Sequence, residues 1–170
     1  MPVEGAISGN VTAFTGGENG LGEVEFPEPG GDCAASTVLD PDKLLQAVVD
    51  LTTERFGLYH THIYLADESW QTLILAAGAG ETGRKLFAEQ HAIPMSTEQS
   101  LVARAARAGK AVIVNDVRGE PGFLPNPLLP ETRAEMAVPM IVGDKVLGVF
   151  DVQSNTSSGF TTEDANIYTT

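Results

Sequence analysis

His60-Thr61-His62-Ile63-Tyr64 sets two imidazoles and a phenol at alternate positions. In an extended strand that spacing aims all three at one face. Such a face can hold a metal, a haem or an anionic ligand. It can equally be a row of partly exposed polar positions. No Cys or carboxylate cluster stands beside it to complete a metal site, so no metal ligand set and no cofactor is identified. His91 is a possible third imidazole, but the sequence does not fix its place. Further along, Glu135, Asp151 and Gln153 interrupt apolar runs. Two carboxylates and an amide on one sheet face suit a ligand with an amine or a hydroxyl, or they are simply solvated.

The stretch "GAGETG", Gly78 to Gly83, spells G-x-G-x-x-G between the apolar run "TLILAA" and "RKLFAEQ". A dinucleotide-binding turn would sit in that place. That fold needs β-α-β units and a parallel sheet, whereas the runs here pair off as hairpins. Glu81, in an acidic chain, also opposes a pyrophosphate. The three glycines read instead as a tight strand-to-helix turn.

The elements around these residues follow from pattern. "LDPDKLLQAVVDLTTERFG" is an amphipathic helix, with Asp40 as N-cap, Pro41 at its first position and Gly57 as stop. Its apolar stripe is Leu44, Leu45, Val48, Leu51 and Phe56. "LYHTHIYLAD" and "QTLILAAGAG" form a hairpin around "ESW", with Trp70 in the turn. "GRKLFAEQ" is a short helix and "HAIPM" a short strand. "STEQSLVARAARAGK" opens with Ser96 and Gln99 in capping-box spacing and closes at Gly109. Its Arg104 and Arg107 can meet phosphate or form a solvated face. "AVIVND" is a strand. A long loop with four prolines runs from Asp116 to Pro130, and Phe123 and Leu124 on it can close over a ligand. "TRAEMAVPMIV" and "KVLGVFDVQS" are strands around Gly143-Asp144. Met95, Met136 and Met140 read as core packing.

Alternation assigns the faces of these last two strands. Ala134, Met136, Val138 and Met140 form an apolar set, as do Val146, Gly148, Phe150 and Val152. Both should meet helices. A two-residue loop pairs Val142 with Lys145 and puts the two sets on opposite faces. A Gly in first place nevertheless favours a two-residue II′ turn. Patterning should prevail, through an odd loop count or a bulge, because the alternative buries Asp151 and Gln153 against helices.

Composition narrows the functions. The 170 residues carry a net charge of −13, which repels nucleic acid and anionic membranes. No apolar run approaches the roughly 20 residues of a membrane span, so no membrane insertion is expected. Cys33 is the single cysteine, so no internal disulfide forms. These features fit a cytoplasmic domain. Residues 1–36 are rich in Gly, Pro and acid, and no Lys or Arg precedes Lys43. They read as a flexible leader that adds little to the core. "FTTEDANIYTT" opens a helix, with Thr161 or Thr162 as cap, that stops in mid-pattern, which suggests a segment of a longer protein.

"TRAEMAVP", "GDKVLGVFDVQS" after a Gly turn, and "FTTED" together resemble a GAF domain, a small-molecule sensor module related in shape to PAS domains. "HIYLAD" and the entry helix match as well, so the resemblance covers residues 37–170. It is nearest to GAF modules of bacterial multi-sensor histidine kinases. It implies an α+β fold, with a mostly antiparallel central sheet, terminal helices on one face and a pocket on the other. The apolar stripe of the entry helix and the cut-off of the last one predict a homodimer through the terminal helices, and an output domain is expected in the same chain.

Several chemistries occur on this family. Free methionine sulfoxide reductases resemble the chain through Glu135 and Asp151, whose counterparts there hold substrate. Their reactive cysteines correspond to Ser100 and about Leu128, so the thiol nucleophile is missing. Cyclic-nucleotide members carry an Asn-Lys pair; Asn155 is present, but Thr156 replaces the lysine ahead of Phe160, Glu163 and Asp164. Bilin-binding members need a thiol at the pocket, and Cys33 lies in the leader. The resemblance therefore implies a non-catalytic sensor that binds a small molecule, with Glu135, Asp151, Gln153, His60, His62, Tyr64, Phe123 and Leu124 as candidate ligand contacts. The alternative is a ligand-free domain for dimerisation and signal relay.

Overall fold

The computed structural model describes residues 40–157 and 159–167, so the leader expected over residues 1–36 lies outside them. Helix α1, Pro41–Phe56, starts where Asp40 accepts from the Asp42 N–H. It ends at Gly57, whose φ of 61° lets the Gly57 and Leu58 N–H groups close back on Glu54 and Thr53. The sheet face of α1 is narrow. Val49 is fully buried and Leu45 packs beside it. Gln46 bonds the Gly78 carbonyl, and Thr53 bonds the Thr61 hydroxyl. Most of the apolar stripe read from sequence points outward: Leu44, Val48, Leu51 and Phe56 are exposed.

Strands β1 (His60–Ala66) and β2 (Thr72–Gly78) form the first hairpin, with Trp70 at positive φ in its turn. Helix α2 (Gly80–Ala88), β3 (Ala92–Pro94), α3 (Leu101–Ala108) and β4 (Val112–Val114) follow. A 3-10 turn at Val117–Gly119 begins the long loop. Strands β5 (Ala134–Val142) and β6 (Lys145–Ser154) make the second hairpin, and α4 (Thr162–Ile167) comes after it. Thr161 caps α4, its hydroxyl accepting from Asp164 N–H while the Asp164 carboxylate accepts from Thr161 N–H. The six strands pair antiparallel throughout, in the order β3-β2-β1-β6-β5-β4. That topology has no place for a dinucleotide fold.

On one face Ile63, Met136, Val138, Phe150 and Val152 pack with Val49 of α1 and Ala165 of α4. On the other, Tyr64, Leu73, Leu75, Ala137 and Val149 pack with Leu86 of α2 and Val102, Ala103 and Ala106 of α3. Each fully buried aliphatic side chain contributes about 1.5–3 kcal/mol. The fold is thus the expected α+β architecture, with the terminal helices on one face.

The β5–β6 connection meets both of the competing demands. Val142 pairs with Lys145, so the loop holds two residues, with Gly143 at φ 61° in first place. The register then shifts: Ile141 pairs with Val146 and Met140 with Gly148, leaving Leu147 as an inserted residue. The bulge restores the apolar sets to one face. It also moves Val146 out of the set that meets the terminal helices, and its side chain instead lies beside Gly109 at the end of α3.

One start signal differs from the sequence reading. Helix α3 is capped by Ser100, which accepts from Ala103 N–H, and not by Ser96 with Gln99. The intervening residues run as turns that seat Leu101 directly in the core. Arg107 reaches back to the Met95 and Thr97 carbonyls, and Arg104 pairs with Glu120 at 3.0 Å. Neither is a free surface cation.

Candidate functional site

Pairing across the sheet builds the site. His62 lies opposite Asp151 on β1 and β6, and Glu135 opposite Gln153 on β5 and β6. Alternation turns all four side chains away from the terminal helices. They form the floor of a cavity of about 390 Å³, roofed by α2, the start of α3 and the loop segment Leu124–Leu128. That volume suits a small organic ligand.

The floor is a hydrogen-bonded chain. Thr132 Oγ1 lies 2.7 Å from Gln153 Oε1, which turns the Gln153 amide towards Asp151 Oδ2 at 2.9 Å. Asp151 Oδ2 also lies 3.2 Å from His62 Nδ1. A carboxylate only accepts, so His62 Nδ1 is the donor of this contact. Asp151 and His62 are both about 1% exposed, yet Asp151 Oδ1 and His62 Nε2 have no hydrogen-bond partner. Buried polar atoms are rarely left so.

Titration follows from burial. Desolvation, reinforced by the Asp151 carboxylate beside it, pushes Glu135 well above the usual carboxylate range, so it holds its proton. Tyr64 is pushed up by burial and then by the same two acids. Burial, with His62 adjacent, pulls His60 down to about 3. His91 is lowered by burial and by His62, against a smaller opposing effect of Glu89.

The wall includes Glu135, Asp151, Gln153, His62, Tyr64 and Leu124. Two other sequence candidates lie elsewhere. His60 sits two residues further along β1, behind the His62 ring at 4.3 Å between centroids, and does not line the cavity. Phe123 packs instead against Leu101, Val114 and Val117, because the loop turns it under the start of α3. Pattern reading missed the contribution of α2, whose Lys85 and Leu86 line the wall with Glu89 just past its end, His91 and Ile93. It also missed Thr132, which orients Gln153. Ser100 and Leu128 line the cavity too. Among the described residues, no group of three or more His, Cys, Asp or Glu is arranged to hold a metal ion. No helix among them is long and apolar enough to cross a membrane.

The glycine stretch explains how α2 reaches the cavity. A Cβ on Gly83 would lie 2.0 Å from the Gly78 carbonyl carbon, so α2 leaves β2 in direct backbone contact. Gly80 turns at φ 61°, with its N–H held by Asp50 of α1.

A protein-family model described as a GAF domain matches residues 38–170. No curated protein matches the chain. Several solved structures resemble it. A GAF domain of a phosphoenolpyruvate-protein phosphotransferase from Coxiella burnetii is 16% identical with a TM-score of 0.66, covering 78% of this chain and 77% of that one. The free methionine-R-sulfoxide reductase from Neisseria meningitidis, in complex with its substrate, is 24% identical with a TM-score of 0.62, covering 76% and 71%. The type II enzyme from Thermoplasma acidophilum is 21% identical with a TM-score of 0.60, covering 74% and 82%. At these identities the likeness establishes the fold.

Proposed function

The chain belongs to the GAF domain family, and on that premise we propose that it is a non-catalytic sensory domain that binds a small molecule and relays the event to an attached output module such as a histidine kinase. One observation carries the reading: a cavity of ligand size whose floor ends in two buried, unpartnered polar atoms. A pocket kept only for relay gains nothing from such a floor, since each unmet group costs about 1–3 kcal/mol. The cavity positions read as counterparts of reactive cysteines hold Ser100 and Leu128, and Cys33 is the chain's single thiol. That supports binding over thiol redox chemistry. A ligand bearing an amine or a hydroxyl fits the unpartnered carboxylate oxygen Asp151 Oδ1.

Relay runs through a homodimer of cytoplasmic domains joined by α1 and α4. The exposed Leu44, Val48, Leu51 and Phe56 of α1 and Ile167 of α4 support this arrangement. Native mass spectrometry of the purified chain is the test. A retained small molecule, lost in an Asp151→Ala, Glu135→Ala double variant, is the expected result. Empty protein, or equal retention by the double variant, refutes the reading.

A further inference from the structure

Helix α1 carries two opposed rows of side chains, one turned to the sheet and one outward. Resting on the proposed sensory function, we propose that Asp50 is a positioning residue: it ties the α2 wall of the cavity to α1 and so couples the cavity to the outer face of that helix.

Gln46, Asp50 and Thr53 stand at i, i+4 and i+7, on the inner side of α1. Leu44, Val48 and Leu51 repeat that spacing on the opposite side and are exposed. The inner row is fastened at the end of β2. Ala79 stands at the N-cap of α2 and offers no side-chain bond. The cap comes from α1 instead: Asp50 Oδ1 accepts from the Gly80 N–H at 2.9 Å. Asp50 Oδ2 accepts from Arg84 Nη2 of α2 at 3.1 Å and from Gln46 Nε2 at 3.0 Å. Gln46 Nε2 also donates to the Gly78 carbonyl at 2.9 Å.

The hydrogen-bonded sheet separates α1 from the cavity, since Val49 packs on one face of it and Leu86 on the other. The Asp50 bonds pass round the end of the sheet, at the Gly78–Gly80 turn. There α2 rests on β2 backbone to backbone. A ligand that presses on Lys85 or Leu86 at the cavity wall tilts α2 about that contact. Gly80 and Arg84 move with the helix, and Asp50 must follow or lose two of its three partners. The coupling is reciprocal: whatever fixes the outer face of α1 also biases the α2 wall.

A change in the wall replaces the ligand in the test. Leu86→Ala opens space beneath α2, and Leu86→Met reshapes the same contact at nearly constant volume. Each is made in the isotope-labelled full chain, reading the amide signals of Leu44, Val48 and Leu51 beside those of Gly80 and Arg84. In the parent background the outer-face signals should shift together with those of α2. In an Asp50→Ala background the α2 shifts should persist and the outer-face shifts should largely vanish. Asp50→Asn, which keeps an acceptor for the Gly80 N–H, should restore them in part. A residue that only stabilised α2 would weaken the fold without changing what α1 feels. Outer-face shifts of equal size in both backgrounds, or absent from both, overturn the inference and leave a small-molecule pocket standing. Empty protein in the native mass spectrum refutes the sensing function whatever the amide signals show.

Discussion

Gly83→Ala should destabilise the domain, although a general rule says the opposite. Gly83 lies inside α2. In a helix interior Ala is better than Gly by about 1 kcal/mol, through the entropy of the unfolded chain. Against that stands the space available. The added methyl would lie 2.0 Å from the carbonyl carbon and 2.2 Å from the carbonyl oxygen of Gly78. Both are backbone atoms of β2, held in the sheet by pairing to β1, and no rotamer change relieves the contact. The helix must move away by more than an ångström, pulling Leu86 from the core it shares with Leu73 and Leu75. Overpacking of this kind costs about 1–3 kcal/mol or more, and partial loss of the Leu86 contacts adds about 1–2 kcal/mol. Less the helix gain, a net loss of roughly 1–4 kcal/mol is expected, or about 4–15 °C in Tm for a domain of this size. Denaturant unfolding followed by circular dichroism measures it, with an unchanged m-value confirming two-state comparison. A variant as stable as the parent, or more so, would refute the claim that α2 rests on β2 backbone to backbone. It would also remove the explanation for how α2 walls the cavity.

Two single groups have effects of their own. Thr132→Val removes the hydroxyl that meets Gln153 Oε1 and the Leu129 carbonyl; it should cost about 1–3 kcal/mol, with Thr132→Ser recovering most of that in the same unfolding assay. His60 titrates at about 3 in the fold against 6.5 in the open chain, so the unfolded state takes the proton first. Its stabilising contribution is present above pH 6.5 and is lost as the pH falls towards 3, at up to about 1.4 kcal/mol per unit. Unfolding free energies measured down that range should show the slope, and His60→Gln should flatten it.

The legible parts of the fold were those where one physical demand dominated. Alternation in β5 and β6 separated Met136, Val138, Phe150 and Val152 from Glu135, Asp151 and Gln153, because a face buried against helices admits no carboxylate without heavy cost. Asp40-Pro41 and Gly57 marked α1 for the same reason: terminal N–H groups and a left-handed stop have few solutions. Where demands competed, pattern gave the wrong residue. Ser96 with Gln99 satisfied a local capping rule, but Ser100 is the cap that lets Leu101, Val102 and Ala105 enter the core. Phe123 is large, apolar and on the loop, yet a pocket beneath α3 claimed it. The wall supplied by α2 could not be read at all. It depends on a backbone contact between Gly78 and Gly83, and a glycine pair looks the same whether it frees the chain or brings two segments together.

The bulge at Leu147 links these levels. Without the inserted residue, the two-residue turn at Gly143-Asp144 would carry every later side chain of β6 to the opposite face. Asp151 and Gln153 would then face α1 and α4, and Phe150 and Val152 would lie on the cavity floor. With it, Asp151 comes opposite Ala137 on β5 and His62 on β1, and its carboxylate lies 3.2 Å from His62 Nδ1. The turn at the hairpin tip and the placing of polar side chains on the floor are thus coupled through a single inserted residue, which is itself exposed.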